Sequence, residues 1–361
     1  MRVLMFDASD RGGIATYTDR LVQALRAAGI DVRLAAPGSR AHGAPPLPPH
    51  AWGDRLPRFG RAGLYARRLR EAVHATAVFV RAVRAVRPDV VHVQTRVAPR
   101  IDPVLFRWAR RRVPVVVTVH DVEPLEGGAR AFERQARMWR AADAVLVHGT
   151  RVRDLVTRAA PSARVVVAPA DVPPTAAVVD SAAARQELGI PPDEHVALLF
   201  GLLRSYKGIA LLAQAWPVVR ERDAQATLYV VGSTDGFAVP ELEELRACPG
   251  VVVREGFVAE RDVDTWLAAP DVLVVPYLKG VHSAVLRRAA VQGTPALASP
   301  LLAEEVDDSG GGRVVDLEPQ AWGEAIAAAL GPEPLPRPVR PTGARLVAAT
   351  HALYEDLARR H

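Results

Sequence analysis

The stretch HVALLFGLLRSYKGIALLAQAWPVVRER, residues 195–222, decides the fold because it holds a complete strand–loop–helix unit. Residues 195–201 are apolar on both faces, which is typical of a buried parallel strand. Residues 208–222 have the apolar spacing of a helix. The short loop between them places Arg204 and Lys207 just beyond the carboxyl end of the strand.

The same unit recurs along the whole chain, because Val-rich apolar runs alternate with helical segments. The predicted strands are residues 2–7, 31–37, 90–95, 113–121, 144–150 and 164–170, followed by 195–201, 226–233, 250–257, 271–277, 294–299 and 312–317. Two sets of about six such runs predict an α/β protein with two doubly wound parallel-sheet domains.

Two proline-rich segments divide these sets. Residues 169–194 lack a regular period and predict a linker, and residues 332–343 predict a second crossing before a final helix. We therefore expect a domain at 1–172, a domain at 173–341, and a C-terminal helix at 342–361 that crosses back to the first. Because ligands of parallel sheets bind beyond the strands' carboxyl ends, we expect the two lobes to face one cleft.

The composition excludes several classes of protein. The chain has 361 residues, of which 49% are hydrophobic and 24% are charged, as in a soluble globular protein. The N-terminal residues lack the pattern of a signal peptide, and no run reaches 18 uninterrupted apolar residues, so the cytoplasm is the expected location. The single cysteine, Cys248, excludes an internal disulfide and a multi-cysteine metal site.

Charge is distributed unevenly between the two halves. Residues 1–170 contain 29 basic and 14 acidic side chains, whereas residues 171–361 contain 17 basic and 26 acidic ones. The basic half indicates either an anionic membrane surface or an acidic substrate, or simply arginine-rich codon usage, since 44 of the 46 basic residues are arginine. The basic stretch 64–88 fits peripheral contact with a bilayer or ordinary packing. No zinc-finger spacing or aromatic RNA-binding run is present, so we expect no nucleic-acid partner.

The loop after residue 201 contains one of only two lysines in the chain. Arg204 and Lys207 lie three residues apart between a strand's carboxyl end and a helix start. A compact ammonium and a guanidinium that can clamp two oxygens suit a diphosphate. The spacing also fits Ser205 as the cap of the helix that Gly208 opens.

Two loops of the first half are further candidates. Gly12 and Gly13 begin a helix that also holds Thr16, so an anion could approach the backbone there, although a plain tight turn explains the glycines too. His120 and Asp121 end the fourth strand, where they either orient a hydroxyl or serve a structural purpose. His92 and His148 also end strands, and we interpret them as wall or core residues.

The segment 275–299 provides the second lysine, Lys279. A helix is predicted from near Ser283 to Gly293, with a short strand after it. The backbone N–H groups of Ser283, Ala284 and Val285 would then form a second seat for an anion.

Taken together, the motifs resemble the retaining, nucleotide-sugar-dependent glycosyltransferases of family four, which have the GT-B fold of two facing Rossmann-like domains. The resemblance covers nearly the whole chain. It rests on GGIATYTDRLVQALRAAGIDV, VVVTVHD, AADAVLVHG, FGLLRSYKGIALLAQAW, AAPDVLVVPYLKGVHSAVLRRAAVQGTPALAS and AEEVDDSGGGRVV, in that order along the chain.

The resemblance implies roles for individual residues. Arg204 and Lys207 match the pair that neutralises the donor diphosphate, and His120 matches the residue near the transferred sugar. The remaining donor contacts that it implies are Gly12, Gly13, Gly201, Gly256, Phe257, Val258, Lys279, His282, Ser283, Ala284, Val285 and Glu305, the last being the acid of a Pro-Glu-Val segment. It further implies acceptor contacts from Thr16, Arg96 and Asp121.

The chain departs from this family at several positions. Many relatives carry two glutamates eight residues apart, where this sequence has Gly280 and Arg288. His282 and Ala284 replace a glutamine and a glycine of the most similar loop, and Pro169-Ala170-Asp171 replaces Pro-His-Gly.

The resemblance implies transfer from a nucleoside diphosphate sugar with retention, to a small-molecule, lipid-linked or glycan acceptor. No Asp-x-Asp motif stands in the expected place, so neither a metal nor a cofactor beyond the co-substrate is expected. Two alternatives remain. The missing glutamate pair is compatible with a GT-B protein that binds nucleotide or glycoside without turnover, and a sugar-nucleotide epimerase would need more carboxylates than these loops offer.

Overall fold

The computed structural model describes residues 1–9, 12–47, 60–95, 101–120, 128–169, 178–280, 282–332 and 335–361. The chain divides into two compact units. Unit 1 is Met1–Pro173 with Thr342–His361, and unit 2 is Pro174–Pro341.

Unit 1 contains one six-stranded parallel sheet. Its strands are β1 Arg2–Phe6, β2 Asp31–Ala35, β3 Val90–Val93, β4 Val115–Thr118, β5 Ala144–Val147 and β6 Val165–Val167, in the spatial order β2-β1-β3-β4-β5-β6. Its helices are α1 Gly13–Ala27, α2 Gly60–Val86, α3 Asp102–Ala109, α4 Gly128–Ala141, α5 Thr150–Ala159 and the C-terminal helix, which we name α13, Ala344–Arg360.

Unit 2 repeats this architecture. Its strands are β7 His195–Phe200, β8 Ala226–Gly232, β9 Val251–Glu255, β10 Val272–Val275, β11 Ala296–Ala298 and β12 Gly312–Val314, in the order β12-β11-β10-β7-β8-β9. Its helices are α6 Ser181–Leu188, α7 Ile209–Arg222, α8 Glu241–Arg246, α9 Val263–Ala268, α10 Ala284–Gln292, α11 Ala303–Ser309 and α12 Pro319–Leu330.

The central strands of each sheet are buried because helices cover them. In β7, Ala197 and Leu199 belong to one apolar cluster, which includes Trp216 and Trp322. The alternate residue Leu198 belongs to a second cluster on the opposite face. Side chains of a strand alternate between faces, so β7 is apolar throughout because both its faces are covered. The predicted α/β class with two parallel sheets is confirmed.

The segment 169–194 is not wholly a linker, and that prediction was wrong for its second half. Helix α6 forms there because Asp180 caps it, accepting a hydrogen bond from the Ala183 N–H at 3.0 Å, and Gly189 ends it in the left-handed conformation. Arg185 is buried within it and donates to the backbone oxygen of Ala269 at 2.8 Å. The sequence did not predict this helix because the segment is rich in alanine and has no clear helical spacing of apolar residues.

Parallel pairing places the loops after β10, β7, β8 and β9 at one edge of the second sheet, in that order. This edge carries the residues that the sequence singled out in unit 2.

Candidate functional site

Lys207 is buried at the carboxyl edge of the second sheet, with only 4% of its surface exposed. Its Nζ donates to the backbone oxygen of Phe200 at 3.1 Å and to the Tyr277 hydroxyl at 3.0 Å. Both acceptors are neutral. Among the residues that the structure describes, no carboxylate forms an ion pair with this ammonium. A buried charge without a counter-charge is costly, so it indicates a place for an anion.

Gly201 leaves open the space in front of this ammonium. Its φ is +106°, and a Cβ added there would lie 3.1 Å from Lys207 Nζ and 3.4 Å from Val285 Cγ2. A side chain at position 201 would therefore occupy the point where the ammonium and the first turn of α10 converge.

Arg204 contacts different groups from Lys207. Its Nη1 donates to the backbone oxygens of Leu203 at 2.9 Å and Thr234 at 2.5 Å. Its guanidinium carbon lies 4.2 Å from the ring centroid of Phe237. The loop after β8 thus holds Arg204, whereas the loop after β10 holds Lys207.

Ser205 does not cap the following helix, which corrects that expectation. Residues Ser205–Lys207 form a single 3-10 turn, and α7 begins after Gly208 with no side-chain cap. Gly208 has φ +78°, and a Cβ there would lie 2.2 Å from the backbone oxygen of Pro276. Ser205 instead donates to Glu241 at 3.3 Å.

The N-terminus of α10 is capped from within the chain. Ser283 Oγ accepts from the Leu286 N–H at 3.1 Å and contacts the Tyr277 hydroxyl at 3.3 Å. The N–H of Ser283 donates to the Glu305 carboxylate at 3.1 Å. The sequence predicted that this N–H would form part of an open seat for an anion, but the carboxylate occupies it. In the described chain, the N–H groups of Ala284 and Val285 make no hydrogen bond.

Glu305 lies at the centre of a buried ionic cluster. His282 Nδ1 is 2.9 Å and Arg287 Nη1 is 2.5 Å from its Oε1. Burial alone would raise the pKa of Glu305, but the charge of Arg287, with His282 and the Ser283 amide, outweighs it and lowers that pKa. The carboxylate therefore stays ionised and orders the loop that precedes α10.

Arg288, which stands where many relatives have a glutamate, is fully engaged by acids. Its Nε and Nη2 clamp the Asp264 carboxylate at 2.6 and 2.9 Å, and Nη1 reaches Glu260 at 2.6 Å. These partners raise the pKa of Arg288 although burial opposes them. Sequence reasoning missed this cluster because its members lie 24 and 28 residues apart.

Other predicted donor contacts of unit 2 lie at the surface. Phe257 is 85% exposed after β9, between Gly256, whose φ is +150°, and the half-buried Val258. Lys279 is exposed in the loop after β10. The structure does not bring these residues into contact with Lys207.

In unit 1, an arginine–aspartate network that the sequence did not reveal joins Asp7, after β1, to Asp19 of α1. Gly12 is the residue before α1, with φ +88°, and Gly13 begins the helix, with Thr16 in its first turn. Arg40 Nη2 donates to Asp7 and to Asp19, both at 2.9 Å, and its Nη1 donates to the backbone oxygen of Ser9.

His120 lies at the carboxyl end of β4 among other rings. Its Nε2 is 3.0 Å from Gln94 Oε1, and its ring centroid is 4.9 Å from that of Tyr17 and 6.0 Å from that of His148. His92 and His148 are buried, as predicted. Asp121 and Arg96, the other candidates on these loops, lie outside the described residues.

Two kinds of feature are absent from the described ranges. No group of three or more His, Cys, Asp or Glu side chains is placed there to hold a metal ion. No described helix combines the length and the apolar character needed to cross a bilayer.

Sequence comparison places both halves of the chain in known groups. Residues 11–173 match the family described as Glycosyltransferase Family 4, and residues 194–331 match Glycosyl transferases group 1. The two matches follow the two units closely.

Curated relatives include D-inositol 3-phosphate glycosyltransferases of several bacteria. The protein of Streptomyces griseus is 33% identical over 158 residues, which cover 40% of this chain and 34% of the relative. That of Acidothermus cellulolyticus is 28% identical over 358 residues, which cover 90% and 79%. The chain spans about a third of the length of the first curated relatives that it matches.

Solved structures of similar fold include a sugar-phosphate synthase and a protein bound to a nucleotide sugar. Sucrose-phosphate synthase from Thermosynechococcus elongatus superposes with a TM-score of 0.66 at 18% identity, over 100% of this chain and 97% of that one. Anabaena Alr3699/HepE, solved in complex with UDP-glucose, superposes with a TM-score of 0.65 at 16% identity, over 99% and 95%. Two parallel six-stranded sheets, two matching family profiles and these neighbours lead to one conclusion: the chain belongs to the family 4 glycosyltransferases of the GT-B fold.

Proposed function

We propose that this protein transfers a sugar from a nucleoside diphosphate sugar to an acceptor hydroxyl, with retention of the anomeric configuration. The reaction uses neither a metal ion nor a further cofactor. Family membership supports the reaction class, and the neighbour that binds UDP-glucose supports the type of donor.

The observation that carries this proposal is the burial of Lys207, whose ammonium pairs with no carboxylate of the described residues. Most lysines avoid such a position, because an ammonium removed from water needs a counter-charge. The α10 N–H groups of Ala284 and Val285 add a partial positive charge at the same place. A dianionic diphosphate supplies the missing charge for both.

The chemistry follows from this charge. As the bond between the anomeric carbon and the diphosphate oxygen breaks, the electron pair and the negative charge move to the diphosphate. Lys207, Arg204 and the α10 amides stabilise that charge where it develops. The acceptor oxygen forms the new bond on the same face, and its proton passes to a departing phosphate oxygen, so no carboxylate nucleophile is needed.

Further contacts in the proposal follow the family resemblance. Backbone groups of Gly256–Val258 seat the base, and Lys279 approaches the phosphates from the loop after β10. Gly12 and Gly13 close over the donor phosphates, while His120 contacts the transferred sugar. Thr16, Arg96 and Asp121 contact the acceptor.

We also propose that unit 1 contacts an anionic membrane surface near a lipid-linked acceptor. Trp108 of α3 is flanked by Arg84 of α2, 5.7 Å from its ring centroid, and by Arg112 at 4.6 Å. Val104 on the same helix is 59% exposed. Exposed arginines beside an apolar surface fit a bilayer interface. Co-sedimentation at low salt with phosphatidylglycerol vesicles tests this contact, and no binding would refute it.

The principal test combines a donor screen with two variants. Thermal shift against a panel of nucleoside diphosphate sugars identifies the base and the sugar, and release of nucleoside diphosphate measures turnover. Lys207→Ala and Arg204→Ala should each lower turnover about a hundredfold, because each removes one stabilising cation. Wild-type rates in both variants would refute the diphosphate site.

A second candidate is a GT-B protein that binds the donor without turnover. Arg288 favours it, because the side chain at the position of a glutamate in many relatives is held by Asp264 and Glu260 and offers no carboxylate. Donor-induced stabilisation without transfer or donor hydrolysis would establish this candidate instead.

A further inference from the structure

Two neighbouring loops of unit 2 meet beside Arg204, which follows β7. Strand β8 pairs directly with β7, and beyond the strands the N–H of Leu203 donates to the backbone oxygen of Ser233 at 2.8 Å. A Cβ at Gly232 would lie 1.7 Å from the backbone oxygen of Gly201, so the two segments approach this closely because position 232 has no side chain. The loop after β8 therefore contacts the side chain of Arg204.

The loop after β8 contains a tight turn that begins at Thr234 and ends at Phe237. The N–H of Phe237 donates to the backbone oxygen of Thr234 at 2.9 Å. Between them, Asp235 and Gly236 have φ values of +48° and +75°, which an aspartate and a glycine adopt at less cost than most residues. Thr234 Oγ1 also donates to Glu255 of β9 at 2.7 Å, so the next strand of the sheet holds the turn in place.

This turn places three different groups around the guanidinium of Arg204. The ring centroid of Phe237 lies 4.2 Å from the guanidinium carbon, and Nη1 donates to the backbone oxygen of Thr234 at 2.5 Å. Nη1 also donates to the backbone oxygen of Leu203 at 2.9 Å, which uses its second hydrogen. Asp235 Oδ2 is 3.8 Å from Nη2, and a long, exposed ion pair of this kind contributes little.

The other edge of the guanidinium can bind a ligand. Among the residues that the structure describes, neither Nε nor Nη2 of Arg204 makes a hydrogen bond. An Nε–H and an Nη2–H on the same edge form a fork that binds two oxygens of a phosphate or a carboxylate. The groups that hold Nη1 therefore determine which edge of the guanidinium faces a ligand.

The ring of Phe237 restrains a side chain that is costly to order. Arginine loses much rotamer freedom when it is fixed, so an arginine that is held before the ligand arrives binds it at a smaller entropic cost. An aromatic face also attracts a guanidinium above it. The side chain of Arg204 is 21% exposed whereas Phe237 is 56% exposed, so the ring covers the guanidinium and adds little to the core.

We propose that Phe237 is a positioning residue for Arg204. Its ring covers one face of the guanidinium and the Thr234 carbonyl fixes Nη1, so that the Nε–H and Nη2–H edge is presented to the diphosphate of the donor. The effect on turnover rests on the proposed function, whereas the arrangement of the two side chains does not. A ring that only stabilised the loop would act equally without the guanidinium, and this difference can be measured.

The first measurement observes the side chains without donor or turnover. Protons above an aromatic ring are shielded by its ring current, so the Hδ and Hε signals of Arg204 should lie upfield of those of exposed arginines. Protein labelled with ¹³C,¹⁵N-arginine gives these signals, and Arg204→Lys identifies them by their loss. In Phe237→Leu they should move to ordinary arginine positions, while Phe237→Tyr should keep them upfield. Unshifted signals in the wild type, which needs no variant to fold, would overturn the inference.

The second measurement is a double-mutant cycle on kcat/KM. Phe237→Leu should lower kcat/KM about tenfold in the wild-type background, because a misplaced cation stabilises the leaving diphosphate less well. In the Arg204→Ala background the same substitution should change kcat/KM less than about twofold, since no guanidinium is left to position. Phe237→Tyr keeps an aromatic face and should stay within about twofold of wild type. Val339→Ala, at a side chain of unit 2 that is 75% exposed, is the control and should change nothing.

The outcomes distinguish this inference from the proposed function. An equal loss from Phe237→Leu in both backgrounds would show that the ring acts on the loop rather than through Arg204, and would overturn the inference. Full activity of Phe237→Leu alongside an impaired Arg204→Ala would also overturn it. If the wild-type protein turns over no donor, the proposed function fails, and the arginine signals alone decide whether Phe237 holds Arg204.

Discussion

The ammonium of Lys207 and the hydroxyl of Tyr277 lie 3.0 Å apart, and the same ammonium is 4.9 Å from the centre of that tyrosine ring. The hydroxyl is also 3.3 Å from Ser283 Oγ, which caps α10. One phenol therefore connects the buried cation with the positive end of a helix. Neither contact neutralises the charge of Lys207. The arrangement is therefore more favourable with an anionic ligand bound than in the ligand-free protein.

Lys207→Met should stabilise the ligand-free protein while weakening donor binding. The substitution removes a buried charge and keeps most of the side-chain volume, so we expect a higher Tm and about a hundredfold lower kcat/KM. Differential scanning fluorimetry and a turnover assay measure the two effects. Arg261→Met, at a side chain that is 86% exposed, is the control and should change neither. A lower Tm would mean that the ammonium stabilises the fold.

Gly201→Ala should abolish donor binding beyond its effect on stability. The positive φ costs roughly 1 kcal/mol in any alanine variant, and the added methyl also fills the space beside Lys207 Nζ. Gly189→Ala is the matched control, since its φ is +70° and its added methyl meets nothing within 4 Å. Urea unfolding measures the loss of stability in each variant, and donor titration measures the loss of donor affinity. Equal donor affinity in the two variants would contradict the assignment of the space between Gly201 and Lys207 to the donor.

Glu305→Gln should destabilise the protein by about 3 kcal/mol, because it leaves Arg287 and His282 without their buried counter-charge. Chemical unfolding at neutral pH measures this loss, and Glu324→Gln on an exposed face provides the control. Because the pKa of Glu305 is lowered in the fold, its stabilisation is complete above the ordinary carboxyl pKa and is lost as pH falls through the folded value. A difference between the two variants below about 1 kcal/mol would show that the cluster is not buried in solution.

The buried His92 should make the free energy of unfolding decrease as the pH is lowered. Its pKa is about 3 in the folded protein and 6.5 for an ordinary, unperturbed histidine, so the unfolded state binds more protons between these values. The stabilisation is complete above about pH 6.5 and is lost progressively as pH falls toward 3, by roughly 3 kcal/mol at pH 4. His92→Gln should show a smaller loss than wild type in urea unfolding at pH 7 and pH 4. Parallel losses in the two proteins would indicate that His92 is solvated.

Much of the architecture was predictable from local patterns. Twelve apolar runs predicted two six-stranded parallel sheets, and Ser283 and Gly293 marked the ends of α10 correctly. Such features depend on neighbouring residues along the chain, which is why the sequence alone reveals them. The helix α6 was not predicted because capping by Asp180 and burial of Arg185, rather than an apolar period, stabilise it.

The contacts that define the candidate sites were not predictable. Glu305 occupies the Ser283 N–H from 22 residues away, and Gln94 reaches His120 from 26 residues away. Local sequence patterns do not indicate such partners, because strand order and side-chain direction determine which distant residues come into contact.

The sequence by itself determined two α/β units and a lysine at the carboxyl end of a central strand, since strand and helix patterns are local properties of the chain. Only the tertiary structure decided that this lysine is buried beside Tyr277, paired with no carboxylate in the described part of the chain, and that His120 faces the Gln94 amide. Burial and hydrogen bonding depend on which strands become neighbours, and pairing between distant segments sets that order.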